Sequence, residues 1–431
     1  MSMHLTPRLL YAWYGDDFTG STDVLETLAV HGVKAVLFTR PPHTRDLASF
    51  SDCRAVGVAG ESRSRGPQWM SRNLPAIFRA IRRLGAPMNH YKVCSTFDSS
   101  SRIGSIGRAM EIGREIFRSG PIPIVVGASH LGRAVVFGNL FAAADGAWHR
   151  IDRHPTMRRH PVTPMTEADL RLHLARQTAL SIGLVDLAAF QSRTVREHWL
   201  QYVHARTGAV VFDGFADPML EETARVLCEP ALQRPIFAVG SSGLTRGLLH
   251  YWRSAGMVGA ASPPPPPPSV DRILVLSGSC SPITARQIRR ARQLGFAAWR
   301  IQGQGPWTQV AEKAGRALAA GRSVVLYTAL GPQTPDAMHG KNFGVALGRL
   351  LRQLVLATGV RRILIAGGDT ATHAVRQLGL DALTFAAPLV SGVPLCRAGA
   401  SSQLDGLELA LKGGQMGSDD FFVNVRSGRG F

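Results

Sequence analysis

The chain has 431 residues, 45% of them apolar, and a formal charge of +19. Its length exceeds what one hydrophobic core usually serves, so two domains are expected. No uninterrupted apolar run reaches membrane-spanning length and the start carries no secretion signal, so a cytoplasmic protein with no membrane partner is expected.

Five scattered cysteines, at 53, 94, 228, 280 and 396, read as reduced thiols and leave no zinc ribbon. Arginine supplies 44 of the 49 basic residues. They are spread through helical segments such as IFRAIRRLG rather than gathered in a block, which argues against nucleic acid and fits a small anionic substrate and a polyphosphate.

Short β-rich runs alternate with amphipathic segments through the first half: LLYAWYG, a helix from about Ser21 to Val30, KAVLFT, AVGVAG, HYKVCS and IPIVVGA. Strands separated by helices predict a mainly parallel sheet covered on both faces, with ligands beyond the carboxyl ends of the strands. Asp16 and Asp17, in GDDFTGSTDVLETL, fall at the first such end. One carboxylate can accept a proton from a substrate hydroxyl while its neighbour positions substrate or helps hold Mg²⁺. Asp17 is favoured as base with Asp16 close behind. The competing reading is that either aspartate caps the following helix. Spacing leaves open where Asp23 points.

In STFDSSSRIGSIG, Asp98 and Arg102 share a hydroxyl-rich loop, and Arg102 can grip a carboxylate with two prongs. VVGASHLGRAVVFG brings Ser129, His130 and Arg133 to another strand end, although a buried histidine satisfied by the backbone is an equal reading of His130. Asp152 to Thr166 reads as a loop in which His154 and His160 flank Arg158 and Arg159, either a solvated basic segment or a lid for an anion. Thr166 is expected to cap the next helix. AVVFDG and PIFAVGSSG complete the strands of this half.

Six consecutive prolines, 263–268, cannot donate to a sheet and stiffen into an extended segment. The expected domains are therefore 1–260, a linker at 261–270, and 271–431. The second domain repeats the strand-to-turn device: LVLSGSCSPIT with Ser277 and Ser279, LIAGGDTAT with Gly367, Gly368, Asp369 and Thr370, and LKGGQMG with Lys412 and Gly413. Small residues before a helix let a phosphate approach free N–H groups. No GxxxxGK[ST] loop is present, no protein-held metal site is expected, and a GxGxxG fingerprint for a dehydrogenase is missing.

GDDFTGSTDVLETL, HPVTPMTEADLRLHLARQT, SGSCSPITARQI, GGDTATHAVRQLG and the closing LELALKGGQMG together resemble the four-carbon acid sugar kinase family over nearly the whole chain. The resemblance implies two α/β domains, each with a mainly parallel sheet flanked by helices and with the active site in the interdomain cleft. It also implies an ATP- and Mg²⁺-dependent kinase acting on a terminal hydroxyl of a four-carbon aldonate or 3-oxo-tetronate, with a branched acid such as 3-oxo-isoapionate as the alternative. A sugar acid would then be held around Asp16, Asp17, Arg102 and the Ser129 to Arg133 turn, and ATP around Ser277, Ser279, Gly367 to Thr370 and Gly413. KGGQMG departs from the family pattern, where an aromatic is more usual near Met416. A homodimer is the assembly expected. The rivals are a nicotinamide-dependent dehydrogenase and a non-enzymatic nucleic-acid-binding protein.

Overall fold

The computed structural model describes residues 9–144, 146–229, 234–260, 264–303, 305–332, 341–399 and 403–430. They form two units, one made of residues up to 35 with 41–262, the other of 36–40 with 263 onward.

The first unit contains the strands β1 (Tyr11–Gly15), β3 (Ala55–Ala59), β4 (Met88–Lys92), β5 (Ile122–Val125), β9 (Ile182–Val185), β10 (Ala209–Phe212) and β11 (Ile236–Gly240); β2 (Ala35–Phe38) leaves it after its first residue. They lie in the order β3-β1-β4-β11-β5-β10-β9, all parallel. Runs such as AVGVA, IPIV and AVVF are wholly buried, as a sheet covered on both faces requires. Below the sheet, Tyr14 stacks on Tyr91 at 5.8 Å and Phe117 on Phe237 at 4.8 Å, within a core that includes Met110 and Phe78.

The sequence pattern did not announce a small antiparallel sheet, β6 (Arg133–Val136), β7 (Asn139–Ala144) and β8 (Ala147–Arg150). Leu140 and Ala142 of β7 are buried, but the half-exposed positions between and after them are Phe141, Ala143 and Ala144, so the sequence shows no apolar–polar alternation. The helix expected to start at Thr166 starts instead at Leu170, capped by Asp169 through the N–H of Arg171. Glu167 has already taken the N–H groups of Ala168 and Asp169, so Thr166 is left to accept from Arg176.

The second unit contains β12 (Leu274–Ser277), β13 (Ala297–Arg300), β14 (Val324–Tyr327), β15 (Arg362–Ala366), β16 (Ala382–Val390), β17 (Val393–Ala398) and β18 (Glu408–Lys412). Their order is β13-β14-β12-β15-β18-β17-β16, parallel as far as β18 and antiparallel beyond. The edge of β16 is closed by β2, with Leu37 opposite Leu383 and the Thr39 hydroxyl on Leu380 O at 2.6 Å. A segment that reads as a strand of the first domain thus completes the second. Arg362 is fully buried and bonds Glu408, its register partner on β18, at 2.7 Å. Of the described prolines, 264–268, Pro267 is buried on this unit: a side chain on Gly428 would meet its carbonyl oxygen at 2.0 Å.

Among the described residues no helix is long and apolar enough to cross a membrane. Leu37 is 0% exposed, so Leu37→Ala is expected to cost about 2–5 kcal/mol. The loss should fall on the second unit, and limited proteolysis should show cleavage within 263–431 rising before cleavage of the first unit.

Candidate active site

In the first unit the chain passes from β1 to β3 on one side and then crosses to β4 on the other. The carboxyl ends of β1 and β4 therefore flank a topological switch, where open parallel sheets hold ligands. Asp16 and Asp17 follow β1, and Lys92 ends β4.

The two aspartates have different tasks. Asp17 is the N-cap of the helix Phe18–Val30: its Oδ1 accepts from the Gly20 N–H at 2.6 Å, and its Oδ2 pairs with Arg63 Nη1 at 3.1 Å. Asp16 is 5% exposed, and its Oδ1 is buried without a hydrogen-bond partner among the described residues. Burial, followed by the neighbouring Asp17 charge, pushes its carboxyl up to about 8 against the opposing pull of Arg63 and Lys92. Asp23, whose direction spacing left open, is buried and turned to Lys92, Oδ2 to Nζ 3.3 Å.

Arg63, which no motif singled out, lies in the turn after β3 and ties this floor together. Its N–H bonds Asp16 O at 3.1 Å, and its Nη2 lies 3.0 and 2.9 Å from the two oxygens of Asp98. Asp98 also accepts the hydroxyls of Thr96 at 2.5 Å and Thr163 at 3.0 Å. Burial would raise the Asp98 carboxyl, but Arg63 and these hydroxyls hold it below its ordinary value. Asp98, expected to touch substrate, is thus occupied in anchoring Arg63. Thr163 brings in the 152–166 loop, whose His160 accepts the Thr163 N–H at 3.1 Å. The loop is pinned at this point, and Arg158 stands exposed on it.

Ser129 donates to Asp217 Oδ1 at 2.7 Å, and Arg246 holds the same carboxylate through Nε and Nη2. This fixes the turn Ser129–Leu131 and presents His130, whose two ring nitrogens are buried without partners among the described residues. Burial lowers its basicity, keeping the ring neutral. Arg133 bonds only carbonyl oxygens, of Leu131 and Gly132, and its Nε has no partner among the described residues. Arg102 is exposed, and its guanidinium makes no bond among them.

In the second unit β12 is followed by β13 and β14 on one side and β15 on the other, so the switch lies between the ends of β12 and β15. The two expected turns meet there. Gly278 N bonds Ala366 O at 2.9 Å, and a side chain on Gly278 would lie 1.9 Å from Thr370 Oγ1. Gly367 has φ 111°, a conformation that suits glycine, and caps the helix Gly368–Leu378 without a side-chain bond to its leading N–H groups. The Ser277 hydroxyl is buried without a partner among the described residues, and Ser279 Oγ accepts from Ser281 N. Open N–H groups, a buried hydroxyl to be satisfied and closely packed glycines fit a nucleotide phosphate. Gly368 is exposed, while the side chain of Asp369 lies outside the description.

Lys412 takes another part than the one expected. Its Nζ donates to Thr284 Oγ1, Gly413 O and Gly414 O at 3.1, 2.9 and 3.2 Å, which uses all three protons. It braces the Gly413–Gly414 turn from behind, and burial lowers its pKa to about 7. A side chain on Gly414 would stand 2.7 Å from Ser279 Oγ, so this turn closes on the β12 turn.

Comparison with known proteins agrees with this division. Residues 11–248 match the model of a sugar-binding N-terminal domain, and residues 274–422 that of a nucleotide-binding C-terminal domain. The chain is 43% identical to a 3-oxo-isoapionate kinase of Paraburkholderia graminis, covering 98% of this chain and 95% of the relative. It is 30% identical to a 3-oxo-tetronate kinase of Cupriavidus necator, covering 97% and 96%, and 31% identical to one of Pseudomonas fluorescens, covering 96% of each. The fold is shared with a solved protein of Salmonella typhimurium LT2, TM-score 0.78 at 24% identity over 96% of this chain and 98% of that one.

Two substitutions test the geometry. Arg63→Met leaves the buried Asp98 without its cation and should cost about 3–5 kcal/mol in denaturant unfolding. Gly278→Ala drives a methyl group into Thr370; it should cost about 1–3 kcal/mol of strain and weaken ATP in calorimetry, and unchanged affinity would remove this turn from the nucleotide site.

Proposed function

The chain belongs to the four-carbon acid sugar kinase family, and we propose that it transfers the γ-phosphoryl group of ATP to a hydroxyl of a small sugar acid, with branched 3-oxo-isoapionate the first candidate and the 3-oxo-tetronates the second. The order follows identity, 43% against 30–31%. Family membership displaces the dehydrogenase and nucleic-acid readings.

The observation that carries the mechanism is the buried, unpartnered Oδ1 of Asp16 at the β1–β4 switch. A general base needs a free oxygen and a proton affinity near the working pH. Asp16 has both, whereas both oxygens of Asp17, the base expected from sequence, are engaged. Asp16 therefore takes the proton of the acceptor hydroxyl, and Asp17 is a positioning residue that fixes the helix start and Arg63. The half-buried Arg133, which has no carboxylate partner among the described residues, and neutral His130 receive the carboxylate end of the acid. Exposed Arg102 and Arg158 add positive potential for an anionic ligand.

ATP is assigned to the Ser277–Ser279 and Gly367–Thr370 turns, with Gly413 placed by Lys412. Mg²⁺, held mainly through the nucleotide's own oxygens, would neutralise charge on the transferring group.

Purified protein with Mg·ATP and a panel of linear and branched 3-oxo acids should release ADP only when acid is present, fastest with 3-oxo-isoapionate. ATP binding without acid-dependent release would send the search to another acceptor. Because the Asp16 pKa is raised, the base is protonated below about pH 8, so kcat/KM should climb with pH and level off above that value. Asp16→Asn should lower kcat by about 10²–10⁴-fold and abolish that limb; a retained limb would exclude Asp16 as the base.

A further inference from the structure

The floor of the first unit's site holds a cation with donors to spare. Lys92 is the last residue of β4, set in register between Gly15 of β1 and Gly240 of β11, and is 2% exposed. Its Nζ has one ion pair, to Asp23 Oδ2 at 3.3 Å, and makes no hydrogen bond among the described residues, although an ammonium group can donate three.

Two buried cations elsewhere show what purely structural charges look like in this chain. Arg362 closes on Glu408 at 2.7 Å and also donates to Val425 O, and Lys412 has every proton engaged. Lys92 does neither. Where Gly20 lacks a side chain, the Cβ position would lie 3.1 Å from Lys92 Nζ and 2.8 Å from Asp17 Oδ1. A larger residue at position 20 would crowd the ammonium. Burial opposes the charge of Lys92, but Asp23, then Cys94, Asp16 and Asp17 hold it protonated.

Composition sharpens the point. Only five lysines occur among 49 basic residues, and one of them ends a wholly buried strand beside the proposed base. A compact ammonium at that place can approach a single oxygen, which a planar guanidinium does less well.

Resting on the kinase reading, we infer that Lys92 is a second catalytic group, the cation that meets the acceptor oxygen as its proton leaves. The hydroxyl proton passes to Asp16. The freed electron pair forms the new O–P bond, and the bond from the γ-phosphorus to the bridging oxygen breaks with its pair departing on ADP. Lys92 Nζ stabilises the negative charge that the acceptor oxygen carries during that exchange, while Asp23 keeps the ammonium in place. A preorganised donor at developing charge contributes about 10²–10³-fold in rate.

The test uses the full chain with Lys92→Met, Lys92→Arg and the double variant Asp23→Asn/Lys92→Met, which leaves no unpaired charge behind if the single change fails to fold. Thermal midpoint, ATP affinity by calorimetry, and kcat and KM for the best acid are measured on each. The expected result is an unchanged ATP Kd, a kcat lowered by about 10²–10³-fold in Lys92→Met and in the double variant with acid KM little altered, and partial recovery in Lys92→Arg. A folded double variant that keeps wild-type kcat would overturn the inference and make Lys92 a counter-ion of Asp23. Absence of acid-dependent turnover in the wild type would overturn the kinase reading, and this inference with it.

Discussion

The first unit's site depends on one guanidinium. Arg63 reaches the helix cap through Asp17, the loop after β4 through Asp98, and, by way of Asp98 and Thr163, the proline-rich loop at 152–166. These segments are far apart in sequence; Phe97, Met157 and Met165 pack them into one hydrophobic core, and a buried charge network adds the direction that apolar contact lacks. Such networks give position more than stability, because desolvation of the partners consumes most of the attraction. With Asp17 and Asp98 both committed to Arg63, Asp16 is left as the carboxyl with an unclaimed oxygen.

The same economy governs the nucleotide unit by other means. There glycine contacts replace ion pairs: the turns after β12, β15 and β18 approach so closely that a methyl group on Gly278 or Gly414 would collide with a side chain of the neighbouring turn. The Asp17–Arg63–Asp98 floor is held by charge, and the three turns of the second unit by the absence of side chains. This suits an acceptor that must be deprotonated and a phosphate that must be cradled by N–H groups.

Much of this was legible in the sequence. Every apolar run read as a strand in either half is a strand, because a sheet buried on both faces needs short, nearly continuous apolar or aromatic runs, whereas the partly exposed β9 and β13 were not read. The aspartate pair, the Ser129–Arg133 turn and the glycine turns were legible as strand-end features. What was not legible depends on tertiary partners. Arg63 sits in GESRS with no periodicity to mark it, and its value appears only once Asp17 and Asp98 lie beside it. Asp17 was ranked above Asp16 as base because which of the two caps the helix is decided by the backbone geometry after β1, which the sequence does not display. Lys412 looked like a phosphate ligand since nothing local shows that two carbonyls and a hydroxyl already surround it. KAVLFT was assigned to its neighbours in sequence, the usual rule, whereas most of it pairs with β16.

That last pairing has a consequence for biosynthesis. Thr39 and its acceptor Leu380 are separated by 341 residues. At the ribosome's pace of about 5–20 residues per second, the strand is made roughly 20 to 70 s before its partner exists. Until β16 is made, this apolar strand waits without the partner that closes its edge in the second unit, while the rest of the first unit is completed as far as residue 262. The nascent chain is thus most exposed to chaperones, and to wrong pairing with its neighbours on a polysome, late in synthesis. The pairing itself requires β16 to return to a strand made 341 residues earlier.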